Sequence, residues 1–190
     1  MISKLDTKQL RRCFGHFATG VTVVTCRTED AAHGVTVNAF TSVSLDPPLV
    51  LVSIDRRAAA CGLLEGNSFT VNLLGADQND LAWHFAGQPK HELNITWEEG
   101  ELAPRLGGCV AWIECGPWRS YDGGDHVLYI GEVKNFESSG GEPLLFYGGK
   151  FRHIGEAIEG VPWIDSLDSP SSMGWFGNPL RLPSVDRRGG

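Results

Sequence analysis

Apolar positions follow a helical period at the start of the chain and a strand period afterwards. Leu10, Cys13, Phe14 and Phe17 recur at i, i+3, i+4 and i+7, which is one face of a helix. Asp6 is placed to cap its start and Gly20 to stop it. The β-branched run at 21–25 then predicts a strand, as do 35–40, 49–54 and 69–74. The Ala- and Leu-rich stretch 56–65 predicts a short helix, and 76–85, with Leu81 and Phe85 four apart, predicts another. Further strands are expected at 109–115, 127–134 and 144–151. Strands that do not alternate with helices disfavour a doubly wound parallel sheet. The pattern predicts a mainly β (α+β) fold, a closed or nearly closed antiparallel barrel with peripheral helices, because closure removes exposed edges.

Composition narrows the class. With 42% hydrophobic and 21% charged residues, the 190-residue chain is too apolar for a disordered protein. No apolar run reaches the length of a membrane span, and Met1-Ile2-Ser3-Lys4 leads into no signal-like apolar stretch. The expectation is a cytoplasmic protein with no membrane contact. A net charge of −7 gives no electrostatic attraction to nucleic acid. Arg11-Arg12, Arg56-Arg57 and Arg187-Arg188 are isolated pairs, which leaves room for a local phosphate pocket. Five cysteines without a CxxC indicate small buried hydrophobes in a reducing compartment. Cys109 and Cys115 are expected on one strand face with Ala111 and Ile113. Composition shifts near Gly160, so the chain divides into a domain at 1–158 and an irregular arm at 159–190. Trp163, Ile164, Trp175 and Phe176 make the arm apolar enough to dock on its own barrel or on a neighbouring subunit, although a disordered terminus also fits.

Three local features bear on chemistry. Thr36, Asn38, Ser42 and Ser44 line one expected strand face with hydroxyl and amide groups, which suits a heterocycle with donors and acceptors on its edge. A water-facing strand fits the same residues. Ser53-Ile54-Asp55-Arg56-Arg57 ends a buried strand, where Arg56 or Arg57 can grip a phosphate, although a solvated arginine pair fits equally. Gly123-Gly124-Asp125-His126 precedes an apolar strand and places Asp125 and His126 at its mouth; a plain hairpin turn is the alternative. No Rossmann G-x-G-x-x-G, Walker A, H-E-x-x-H or G-x-S-x-G occurs, and the histidines show no metal-binding spacing.

Taken together and in order, these stretches resemble the short-chain NAD(P)H:flavin reductases, the reductase components of two-component flavin-dependent monooxygenases. The matching segments are Phe14 with Phe17-Ala18-Thr19-Gly20-Val21-Thr22-Val23-Val24-Thr25, the run Gly34 to Val50, and Phe69 with Val71-Asn72-Leu73-Leu74. His84-Phe85-Ala86-Gly87, Gly124-Asp125-His126 with Gly131-Glu132-Val133, and Pro143 to Phe151 complete the set. The resemblance covers about residues 7–155. It implies an FMN-binding split β-barrel of antiparallel Greek-key type and a homodimer with flavin near the subunit interface. It also implies hydride transfer from NADH or NADPH to N5 of FMN or FAD, with the reduced flavin passed to a partner monooxygenase.

Carried over by position, Thr36, Val37, Asn38 and Ala39 would line the flavin ring and ribityl chain. Ser53, Ile54, Asp55, Arg56 and Arg57 would serve the ribityl–phosphate end, and Phe85, Ala86, Gly87 and Lys90 a second phosphate-side loop. His126 would act on the nicotinamide nucleotide, with Tyr147 and Phe151 closing over it. Two features depart from the family pattern. Ala58-Ala59-Ala60 stands where many relatives carry a phosphate-binding Ser or Thr, and the arm at 160–190 is longer than a minimal member needs. The alternatives are a non-catalytic FMN-binding protein on the same barrel, an oxidase of the pyridoxamine-phosphate type, whose phosphate-binding arginines are not found, and a pure interaction module.

Overall fold

The computed structural model describes residues 5–28, 31–90 and 92–159. Helix α1 spans Thr7–Phe14, where the apolar period placed it, and Asp6 Oδ1 caps it by accepting from Lys8 N at 2.9 Å and Gln9 N at 3.2 Å. It stops at Gly15 rather than Gly20. Strands β1 (Thr19–Gly20), β2 (Thr22–Arg27), β3 (Ala32–Val37), β4 (Phe40–Leu45) and β5 (Pro48–Asp55) follow. Then come α2 (Ala59–Leu63), β6 (Phe69–Leu73), α3 (Asn79–Phe85), β7 (Trp97–Glu98) and β8 (Arg105–Leu106). Two long strands, β9 (Ala111–Gly123) and β10 (His126–Ser138), form a hairpin, and β11 (Leu145–Tyr147) and β12 (Lys150–Arg152) form a short one.

Seven strands make the main sheet, in the order β3-β2-β6-β9-β10-β5-β4, and every ladder is antiparallel. The expected strand at 35–40 is broken. Asn38 and Ala39 leave the ladder, so Thr36 lies in β3 while Ser42 and Ser44 lie in β4, at the opposite edge of the sheet. A flat sheet of seven strands would hold those edges roughly 29 Å apart at about 4.8 Å per spacing. Two linking residues span no more than about 11 Å. The sheet is therefore strongly curled, and Ser53 N reaches across to donate to Ala39 O at 3.0 Å.

Curling puts alternate residues inside. Val24, Cys26, Val50, Val52, Ile54, Phe69, Val71, Cys115, Val127 and Tyr129 share one buried cluster, at period two along each strand. Val21, Val23, Leu74, Leu81, Ala82, Leu106, Cys109 and Leu144 form a second cluster under α3. Cys109 and Cys115 thus lie in different clusters, because β9 begins only at Ala111. Burial pushes the Cys109 thiol up to about 11 and Cys115 up to about 12, so both are protonated at neutral pH. Gly131 is required inside: a Cβ there would meet the Phe69 ring at 2.6 Å and Cys115 Cβ at 2.7 Å. Buried polar side chains tie an outer loop to the sheet. Asn72 Oδ1 accepts from Leu106 N at 2.9 Å, Asn72 Nδ2 donates to Val23 O and Thr25 Oγ1, and Thr25 Oγ1 donates to Pro104 O.

The chain divides into two units, Met1–Ile154 and Gly155–Gly190. Of the second, residues 155–159 are exposed and irregular. The arm expected at 159–190 lies outside the described residues from Gly160 onward. No helix among the described residues is long and apolar enough to cross a membrane.

Candidate functional site

Three separate stretches of chain meet in a cleft of ≈ 470 Å³. The outer edge of the sheet supplies His33 to Thr36, the turn into α2 supplies Ala58 to Ala60, and the end of α3 supplies His84 to Gly87. Because β3 is an edge strand with a partner on one side only, part of its backbone N–H and C=O is free of the ladder. The Thr36 hydroxyl donates to Ala82 O at 2.7 Å and fixes the strand to α3. Gly34 permits the close packing beside it, since a Cβ there would meet the Phe85 ring at 2.7 Å. Gly87 adopts φ +87°, the left-handed region glycine favours, and turns the chain away after α3. The remaining wall is small: Ala58, Ala59 and Ala60 leave the backbone open to close approach.

Thr36, Phe85, Ala86 and Gly87, all named from the sequence, line this one cleft, with Val37 beside them but packed toward the core. Asn38 borders a neighbouring apolar cleft of ≈ 310 Å³ with Phe17, Thr22 and Phe40. Ala39 is exposed and contributes its carbonyl to Ser53. Ile54 is a correction: its side chain is fully buried in the core, so no ligand reaches it. Lys90 lies in a different depression, where its Nζ pairs with Asp80 Oδ1 at 2.5 Å. Phe151 packs edge-on to Trp83 and Phe146, and Tyr147 sits at the tip of the β11–β12 hairpin, 3.4 Å from His16 Nδ1 through its hydroxyl.

The two arginines are used in a way the sequence did not reveal. Arg56 reaches the β9–β10 turn: Nε donates to Gly124 O and Nη2 to Asp122 Oδ2, each at 2.8 Å, and its backbone N donates to Asp125 O at 3.0 Å. Arg57 turns back on Asp55, Nε to Oδ1 at 3.0 Å and Nη2 to Oδ2 at 2.6 Å. That guanidinium holds the Asp55 carboxyl well below the usual carboxylate range. A phosphate at either arginine would share a guanidinium already bonded to a carboxylate. His126 opens β10 opposite Asp55, and its Nδ1 lies 2.7 Å from Asp125 Oδ1. The hydrogen bond from the His126 ring lowers the Asp125 carboxyl in turn. The turn from Asp122 to His126 is therefore clamped by Arg56 from the end of β5.

These features define a class: an antiparallel curled sheet with peripheral helices and, at its edge, a cleft of backbone and small side chains. The particular family follows from comparison. The chain matches the flavin reductase like domain over residues 14–155, and it belongs to that family. It is 42% identical over 161 residues to an NADH-dependent flavin reductase of Rhodococcus sp, covering 81% of this chain and 90% of that one. It is 38% identical over 146 residues to the reductase component of 4-hydroxyphenylacetate 3-monooxygenase from Thermus thermophilus, covering 76% and 94%. Among solved structures, the flavin reductase PheA2 in its native state superposes with a TM-score of 0.77 at 39% identity, covering 80% of this chain and all of that one.

Proposed function

We propose that this protein is an NAD(P)H:flavin oxidoreductase that reduces FMN or FAD and supplies the reduced flavin to a partner monooxygenase. The observation that carries this is the match to flavin reductases over residues 14–155, and two of the matching segments, at Gly34 to Thr36 and at His84 to Gly87, line one cleft with Ala58 to Ala60. The cleft fits a flavin. Its volume lies within the range of about 300–1,000 Å³ common for small-molecule sites. Free backbone groups of an edge strand offer donors and acceptors to a heterocycle edge, and an alanine wall lets a phosphate approach backbone N–H groups. A bound flavin supplies the hydride-accepting chemistry and NAD(P)H the hydride. In this reading Thr36 and the backbone from Gly34 to Ala39 orient the ring, Ala58 to Ala60 with Ala86 and Gly87 take the phosphate side, and Ser53 holds the Ala39 turn. His126, steadied by Asp125, meets the nicotinamide nucleotide, and Arg56 positions the turn that carries it.

The two sheet edges joined by Asn38-Ala39 support a split barrel. A homodimer is supported by apolar residues left uncovered among the described residues: Phe14 at the end of α1, Phe17 in the segment after it, and Val43 and Leu45 on edge strand β4. The test is oxidation of NADH and NADPH by the purified protein with FMN, with FAD and with no added flavin. Turnover that rises with added flavin is expected. Flavin bound without turnover would replace the reductase by a flavin carrier, and a protein that takes up no flavin would end the flavin reading.

A further inference from the structure

The end of β5 and the turn before β10 gather Asp55, Arg56, Arg57, Asp122, Asp125 and His126. Asp55 closes β5, His126 opens β10, and the two are paired directly across the antiparallel ladder. The next pair along that register, Ile54 and Val127, lies in the core. Side chains alternate along a strand, so Asp55 and His126 both point outward on one face, where opposed Cβ atoms stand about 4.5–5.5 Å apart. Arg57 fixes Asp55 with three hydrogen bonds. Its backbone N donates to Oδ1 at 2.8 Å, Nε to Oδ1 at 3.0 Å and Nη2 to Oδ2 at 2.6 Å. The His126 ring also meets Asp125, Nδ1 to Oδ1 at 2.7 Å. The imidazole therefore has two carboxylate neighbours, one from its own turn and one held on the adjacent strand.

The charges in this cluster do not balance. Arg57 pairs with Asp55 and Arg56 with Asp122, while Asp125 pairs only with His126. Three carboxylates against two guanidinium groups leave one negative charge over, which a protonated His126 cancels. The groups act on one another. Hydrogen bonds from Arg57 hold the Asp55 carboxyl low, and the His126 charge adds to them. The hydrogen bond from the His126 ring lowers Asp125, and the Asp55 charge opposes it. A nicotinamide dinucleotide carries an anionic diphosphate, so it approaches an excess of negative charge unless the imidazole holds a proton. We propose that Asp55, fixed by Arg57, is a positioning residue that holds His126 as an imidazolium in the dinucleotide complex, so that the dinucleotide binds together with one proton from solvent. The ring donates to Asp125 from Nδ1, so the added proton sits on Nε2. The proposal rests on the flavin reductase reading, in which His126 meets the nicotinamide nucleotide. It takes Asp55 and Arg57 away from the flavin phosphate and gives them to the hydride donor's side.

NAD+ is the probe, since it carries the diphosphate and cannot reduce flavin. It is titrated calorimetrically into the protein with saturating FMN at pH 8, where an ordinary imidazole is mostly neutral. Repeating the titration in buffers of different ionisation enthalpy counts the protons taken up. About one proton per NAD+ is expected, and the affinity should fall by up to about tenfold per pH unit above that pH. His126→Gln should abolish the uptake. Asp55→Asn should lower it by half or more, and Asp55→Glu, which keeps the charge, should retain it. Circular dichroism checks the fold of each variant; a merely structural Asp55 would change stability and leave the proton count alone. No uptake by the wild type, uptake that survives His126→Gln, or uptake unchanged in folded Asp55→Asn would overturn the proposal, as would a wild type that binds no NAD+. Turnover is measured separately. Flavin-dependent NAD(P)H oxidation without proton uptake leaves the reductase standing and ends the proposal. Proton-linked NAD+ binding without any turnover does the reverse.

Discussion

Arg56 shows how one side chain changes meaning between sequence and structure. In the sequence it neighbours Arg57 after a strand, which is how a phosphate grip looks. In the structure its guanidinium spans from β5 to Gly124 O and Asp122 Oδ2 and steadies the turn before His126. The two uses predict opposite results for Arg56→Met. A positioning role leaves FMN and riboflavin affinity unchanged and slows turnover roughly tenfold, the rate equivalent of about 1.4 kcal/mol. It also leaves stability nearly untouched, since exposed ion pairs contribute about 0–1 kcal/mol. A phosphate grip weakens FMN and spares riboflavin. Flavin fluorescence titration beside steady-state rates decides between them. His126→Ala should follow the same pattern, slower turnover with flavin affinity retained. The hairpin turn, Asp125 and His126 were legible from Gly-Gly-Asp-His alone. The Arg56 clamp was not, because its partners are some seventy residues away and only strand register brings them together.

Among the elements, the stretch 34–45 is the instructive one. Its alternating hydroxyl and amide residues read as one continuous strand. The chain breaks at Asn38-Ala39 because β3 and β4 belong to opposite edges of the sheet, and the period of two continues through the break without marking it. Strand β10 carries a constraint of the opposite kind. The sequence marks Gly131 only as part of a family motif, with no packing reason, yet the Phe69 ring and Cys115 occupy the space its side chain would need. Gly131→Ala should therefore lower stability by about 1–3 kcal/mol through overpacking, read as a lower denaturant midpoint with an unchanged slope. Unchanged stability would mean that Phe69 has another rotamer available.

At the scale of the molecule, the apolar period at Leu10, Cys13, Phe14 and Phe17 is not packed into its own domain, and only its first three residues lie in α1. Phe17 remains 77% exposed and Leu45 on β4 94%. Burying a large apolar side chain contributes about 1.5–3 kcal/mol, so two such faces are a strong drive to associate. Light scattering should give the wild type twice the 20.7 kDa of one chain, and Phe14→Glu with Phe17→Glu should shift it toward the single mass. A wild type that stays at the single mass at every concentration would remove the homodimer.

The sequence by itself determined α1 and the two later helices, strands β2, β3, β5, β6 and β10 and the first half of β9, the cap at Asp6, the antiparallel β character and the family. All of these are written in local periods and short motifs, which adjacent residues carry. The tertiary structure alone decided how far the sheet curls, which arginine clamps which turn, that Ile54 is core rather than ligand wall, and that Lys8, Arg11 and Arg12 share a cleft with Tyr147. Each of these depends on strand register and curvature, which bring together side chains that no local spacing relates.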